Sequence, residues 1–181
     1  NGGMPDGAYF MPMTLNSYRE NRNLEASNVL AFIEGSEKSN EILVITAHLD
    51  HIGVEEDGQI NNGADDDGSG TVAILEIAEA FQQAVIDGNG PKRSVLFLHV
   101  TAEEKGLLGS KYYTDIPVYR LEDTVANLNI DMIGRIDDLH KDNSNYMYLI
   151  GSDILSQDLH DVSAAMNDAY INLALDYRYN D

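Results

Sequence analysis

Apolar positions in this chain fall either in short unbroken runs or in longer stretches with a helical repeat. Glu41–Ala47 (EILVITA) and Ser94–Thr101 (SVLFLHVT) are unbroken and rich in β-branched residues, the pattern of strands covered on both faces. Asn28–Glu34 (NVLAFIE), Thr124–Ile130 (TVANLNI) and Tyr146–Ile150 (YMYLI) read as further strands. Ser69–Ile86 is helical in period: Ala73, Ile77 and Phe81 share one stripe, with Ile74, Ala78 and Val85 beside it. Ser69 is the expected N-cap, and Asp87-Gly88-Asn89-Gly90-Pro91 is the expected stop. Gly106–Tyr113 predicts a short helix. Ile154–Tyr170 predicts a second long one, with Leu155, Leu159, Val162 and Met166 on one face. Strands alternating with helices predict an α/β fold, a three-layer α/β/α sandwich around a mostly parallel mixed sheet.

Residues 1–27 are polar and lack periodicity, so they read as an irregular segment or linker ahead of a domain over 28–181. The N-terminus, Asn1-Gly2-Gly3, has neither Met nor the apolar core of a signal peptide, so a processed product or an excised piece is expected. Leu49–Gly70 is a long loop rich in Gly, Asn and Asp, and loops of that length inside a domain are usually functional.

Composition narrows the partners. The chain has 181 residues and 43% apolar content, enough for one domain with a core. Its 31 acidic and 11 basic residues give a net charge of −20, which repels nucleic acid and anionic membranes. No apolar run is long enough to span a membrane. Cysteine is absent, so disulfides and thiolate metal sites are excluded and any metal must be held by His and carboxylate.

Four chemistry-bearing segments follow these elements: Ala47-His48-Leu49-Asp50-His51, Gly63-Ala64-Asp65-Asp66-Asp67-Gly68-Ser69-Gly70, Ala102-Glu103-Glu104-Lys105-Gly106 and Asn129-Ile130-Asp131-Met132. In open α/β sheets ligands bind beyond the carboxyl ends of the strands. His48, Glu103, Glu104 and Asp131 all lie at such ends, and the Asp-rich loop can reach the same rim. Imidazole and carboxylates together suit divalent metals, zinc above all, and predict a metal-dependent hydrolase.

Each member has an ordinary reading by itself. A lone His at a strand end is more often a hydrogen-bonded structural residue, a Glu-Glu pair more often a helix start, and three Asp in a Gly-rich loop a solvated turn. Asp131 ends an apolar strand, where an unpaired buried carboxylate is costly. The conjunction carries the inference. The pattern does not choose among Asp65, Asp66 and Asp67, nor divide roles between Glu103 and Glu104. His51 reads as a residue beside the metal or exposed rather than a ligand, His99 as a satisfied interior histidine, and His160 as a helix-face residue. Arg135 either pairs with a site carboxylate or lies on the surface.

AHLDHIG, GADDDGSG, TAEEKGLLGS and NLNIDMIGR, in this order and spacing over roughly 28–170, resemble the signature segments of the two-zinc exopeptidase family of secreted bacterial aminopeptidases. Glutaminyl cyclases and glutamate-carboxypeptidase-like and transferrin-receptor-like proteins are relatives on the same scaffold. The resemblance implies the zinc-exopeptidase fold and an extracytoplasmic, secreted or periplasmic location. It also implies His48 and Asp131 as ligands of one zinc, Asp66 as the bridge between two, Glu104 as a ligand of the second and Glu103 as the catalytic base. Asp50 is implied as the carboxylate that orients His48. The expected reaction is hydrolysis of the N-terminal peptide bond of a peptide with a free N-terminus by a metal-activated water.

Family members carry one further His ligand well downstream of the position matching Asp131. His140 is too close to Asp131 to match it, so the resemblance implies a domain incomplete at the C-terminus, with the second zinc short of its His.

Three alternatives accompany this reading. A glutaminyl-cyclase-type acyltransferase is disfavoured by the run Glu103–Ser110, and a catalytically inactive relative by the retained ligand positions. A calcium-binding module is suggested by Asp65, Asp67, Ser69, Gly70 and Glu76, which fall at positions 1, 3, 5, 6 and 12 of an EF-hand loop.

Overall fold

The two apolar runs pair side by side and form the centre of the fold. The computed structural model describes residues 7–17 and 22–180. They divide into two compact units, 1–134 and 135–181. The first carries β1 (Gly7–Ser17), β2 (Arg22–Ile33), β3 (Lys38–His48), the two-residue strands β4 (Gly53–Val54) and β5 (Ile60–Asn61), α1 (Gly68–Ile86), β6 (Arg93–Val100), α2 (Leu108–Asp115) and β7 (Thr124–Asn129). The main sheet runs β1-β2-β6-β3-β7. It is parallel across β6-β3-β7 and antiparallel at β1-β2 and β2-β6.

Burial in β3 and β6 is nearly continuous, as strands covered on both faces require. Side chains then sort by parity. Ile42, Val44, Leu96, Leu98 and Val100 join Leu30 and Tyr113 on one face. Ile45, Ala47, Val95 and Phe97 join Ile74 on the other, packed by Ile77, Ala78 and Phe81. The connection β3-α1-β6 crosses to one neighbour of β3, whereas β6-α2-β7 crosses back past β3 to the other. Right-handed crossovers in opposite directions place α1 and α2 on opposite faces, which gives the three layers.

Several local expectations need correction. Part of the stretch 1–27, expected to be irregular, is paired strand: β1 pairs with β2 from Gly7↔Phe32 to Ser17↔Arg22, and the rest of the stretch, 1–6 and 18–21, lies outside the described residues. Backbone pairing between antiparallel strands does not need apolar alternation, so hydropathy does not signal it. The strand expected at 146–150 lies outside the main sheet. In the second unit β8 (Tyr146–Tyr148) pairs in parallel with β9 (Ala174–Asp176). The single helix expected over 154–170 is interrupted at Ser156, between α3 (Ser152–Leu155) and α4 (Gln157–Met166). Ser156 is extended and caps α4 by accepting the Leu159 N–H at 3.2 Å.

The cap of α1 is Asp67 rather than Ser69. Asp67 Oδ1 accepts the Gly70 N–H at 3.0 Å, while the Ser69 hydroxyl donates to the Asp65 carbonyl at 2.7 Å. Because α1 begins at Gly68, the proposed calcium loop would have to coordinate from inside a helix, and the EF-hand reading fails. His99 is buried, as expected, but among the described residues its Nδ1 has no hydrogen-bond partner, against the expectation of a satisfied interior histidine. Burial holds its imidazole below the usual value.

Candidate metal centre

Strand register brings the motifs together. Thr46 lies opposite Asn129 and His48 opposite Val100, so two residues further on Asp131 reaches the level of His48, and Glu103 follows on the other side. Non-glycine residues with left-handed backbone stand at both turns, Ala102 (φ 56) before Glu103 and Met132 (φ 52) after Asp131. Such conformations cost energy and concentrate at functional sites. No hydropathy signal foretells them.

The three aspartates divide their tasks. Asp67 is buried, 1% exposed. Besides capping α1, its carboxylate accepts the His48 N–H at 3.1 Å and the Met132 N–H at 3.3 Å. It therefore ties together the ends of β3, α1 and the segment after β7. Gly70 leaves room for it, since an added Cβ would run into the Asp67 carboxylate and the Ile130 carbonyl. Asp65 Oδ1 accepts the Gly134 N–H at 2.7 Å. Asp66, between them, projects to the histidines: its Oδ1 is 3.1 Å from His48 Nε2 and its Oδ2 3.8 Å from His51 Nδ1.

Two donor groups result. His48, Asp66 and Asp131 offer one ligand atom each within 4.8 Å of one another, and so do His51, Asp66 and Glu104. His48 Nε2 stands 3.9 Å from Asp131 Oδ1. Zinc bonds of about 2.0–2.2 Å place tetrahedral ligands about 3.3–3.5 Å apart, so 3.1 and 3.9 Å bracket the need. The donors are nitrogen and oxygen, which suits zinc and its borderline neighbours. Glu104 Oε1 and His51 Nδ1 are shut off from solvent and have no hydrogen bonds among the described residues, a condition that a cation relieves. The residues fit the group.

His48 Nδ1 bonds the backbone carbonyl of Asp50 at 2.8 Å, while the Asp50 carboxylate lies 3.9 Å away. That fixes the ring with Nε2 toward Asp66 and Asp131. The carboxylate instead accepts the backbone N–H groups of Glu103 and Glu104, at 2.9 and 3.3 Å. Asp131 is only partly covered: its side chain is 42% exposed, at the end of β7, which is the edge strand of the main sheet among the described residues.

Electrostatics follow from this crowding. Burial, then the charges of Glu104, Asp131 and Asp50, raise the Glu103 carboxyl above its ordinary value against the pull of His48. Burial and the neighbouring Asp66, Asp65 and Glu104 raise Asp131 likewise, again opposed by His48. For His48 burial acts downward, but the Asp50 carbonyl and the carboxylates of Asp67, Asp131 and Glu103 outweigh it and leave the imidazole raised.

Two further histidines belong to the second unit. In the second unit His140 Nδ1 is 2.9 Å from Asp137 Oδ1 and its Nε2 3.2 Å from Asp176 Oδ2. His160, on α4, meets the Ser152 hydroxyl at 2.8 Å.

Known proteins agree with this frame. Leucine aminopeptidase 1 of Phaeosphaeria nodorum is 39% identical over 113 residues, covering 61% of this chain and 28% of that protein. Aminopeptidase YwaD of Bacillus subtilis is 35% identical over 98 residues, 54% of this chain and 19% of the relative. The chain thus spans less than a third of these relatives. Among solved structures, the zinc aminopeptidase BSAP from Bacillus subtilis superposes with a TM-score of 0.64 at 25% identity, covering 86% of this chain and 34% of that one. A leucine aminopeptidase precursor from Bacteroides thetaiotaomicron shares the fold, with a TM-score of 0.69 at 20% identity over 94% of this chain and 61% of its own. The model of Peptidase family M28 matches residues 28–178, and the chain belongs to that family.

Proposed function

We propose that this chain carries the catalytic centre of a zinc-dependent aminopeptidase with two cation positions. One observation supports the reading above all: Asp66 turns one carboxylate oxygen to His48 and the other toward His51, so a single residue joins two donor groups. His48, Asp66 and Asp131 would hold one zinc, and Asp66 with Glu104 the other. Zinc there would make water a stronger acid and polarise the scissile carbonyl.

The chain's own residues supply the rest. Glu103, with its carboxyl raised, takes a proton from the attacking water and returns it to the leaving amine. Asp50 holds the Glu103 and Glu104 backbone in place. The concentration of carboxylates favours a cationic α-amino group, hence a peptide with a free N-terminus. The aminopeptidase names of the relatives support the same substrate class. An extracytoplasmic location belongs to the proposal and is checked by cell fractionation. No helix among the described residues is long and apolar enough to cross a membrane.

The test is hydrolysis of leucine p-nitroanilide beside its N-acetylated form, by the chelator-stripped and zinc-reloaded protein, for this chain and a C-terminally extended form. Cleavage restricted to the free amine and to the reloaded protein supports the proposal. Zinc-loaded protein that cleaves neither compound, or both equally, overturns it.

A further inference from the structure

We infer that His51 is itself a metal ligand, supplying the imidazole of the second cation position through Nδ1. The inference rests on the proposed two-cation reading and adds a donor that the resemblance does not assign. His51 Nδ1 lies 2.8 Å from Glu104 Oε1 and 3.8 Å from Asp66 Oδ2. These distances straddle the ligand separations of about 3.3–3.5 Å around tetrahedral zinc.

The His51–Glu104 contact is not an ordinary hydrogen bond. Both atoms are closed to solvent, and among the described residues neither makes a hydrogen bond despite their separation of 2.8 Å. Two ligand atoms this close together, with no hydrogen bond between them and Asp66 within reach, are disposed as ligands around a common third atom. Buried polar atoms left without partners call for such an atom.

The imidazole is held in place. Gly63 packs directly on it with φ +65, and an added Cβ there would come within 2.6 Å of His51 Cβ and 2.9 Å of Cγ. Gly63 is in turn anchored by its carbonyl, which accepts the Gly68 N–H at 2.9 Å at the start of α1. The same element that presents Asp66 therefore seats His51. The two imidazoles address opposite oxygens of Asp66, so neither competes with the other for its ligand.

Zinc stoichiometry and affinity, by equilibrium dialysis and elemental analysis, test this without recourse to turnover. The unsubstituted protein is expected to hold two equivalents. His51→Ala should keep one and lose the second by more than the 10–100-fold that removal of an outer-sphere partner brings. In His51→Gly, with the fold verified by circular dichroism, added imidazole should restore the second equivalent. Two equivalents retained by His51→Ala, or a weakening within 100-fold, overturns the assignment, as does a failure of imidazole to rescue a folded His51→Gly. A protein that binds zinc with this dependence yet cleaves no free-N-terminus substrate would sink the aminopeptidase reading and leave His51 a ligand.

Discussion

Asp50 holds Glu103 by its backbone: Asp50 Oδ1 accepts the Glu103 N–H at 2.9 Å, and its second oxygen accepts the next N–H at 3.3 Å. One carboxylate at the end of β3 thereby sets where the end of β6 turns. Its own carbonyl meanwhile fixes the His48 ring. Asp50 is a positioning residue for both the imidazole and the base.

Asp50→Ala removes the acceptor for two backbone donors. Hydrogen bonds to charged groups contribute about 1.5–3 kcal/mol each, so urea denaturation should show a loss of about 3–6 kcal/mol. Asp50→Asn keeps one acceptor oxygen and should lose less than half as much. Equal stability of Asp50→Ala and the parent would show that these contacts are incidental.

Asp67→Ala should weaken zinc binding although Asp67 is not placed as a ligand. It links His48, Gly70 and Met132 by their N–H groups, and losing three such bonds costs about 3 kcal/mol or more. Thermal melts and zinc titration would report both effects. Unchanged zinc affinity in a folded Asp67→Ala protein would contradict the linkage.

Glu103→Gln should retain the full zinc content and lower kcat by about 10²–10⁴-fold, the usual contribution of a general base. Elemental analysis beside turnover checks this. Loss of metal would mean that Glu103, and not Glu104 alone, is a ligand.

The second unit has a pH-sensitive cluster of its own. The Tyr148 hydroxyl, then the His140 side chain and the His140 and Leu139 N–H groups, pull Asp137 from its ordinary 3.8 to about 2. A folded value below the unfolded one means that the unfolded chain binds the proton first as acidity rises. The ionised Asp137 therefore stabilises the cluster fully above 3.8, and the benefit disappears as pH falls through about 2. Tyrosine near-ultraviolet dichroism should report loosening in that window, and Asp137→Asn should flatten the response relative to the parent.

The sequence by itself determined the layers and the set of reactive side chains. Unbroken apolar runs at 41–47 and 94–101, short and rich in β-branched residues, read as doubly covered strands, and the helical stripe through Ala73, Ile77 and Phe81 read as the cover of a sheet face, where Ile45, Ala47, Val95 and Phe97 meet it. Those are local periodicities, legible because burial follows a fixed repeat. Motif order pointed to His48, Asp66, Glu103, Glu104 and Asp131 through family resemblance.

Tertiary structure decided what each side chain faces. Asp65, Asp66 and Asp67 are identical in type and consecutive in the chain. Only the packing of the Gly134 N–H on Asp65 and of three N–H groups on Asp67 frees Asp66 for the histidines. The partial exposure of Asp131 and the seating of His51 against Gly63 likewise depend on partners outside their own elements. Periodicity records which side of an element is covered, but a ligand's direction is set by register and backbone turns between elements, and these exist only once the strands have paired.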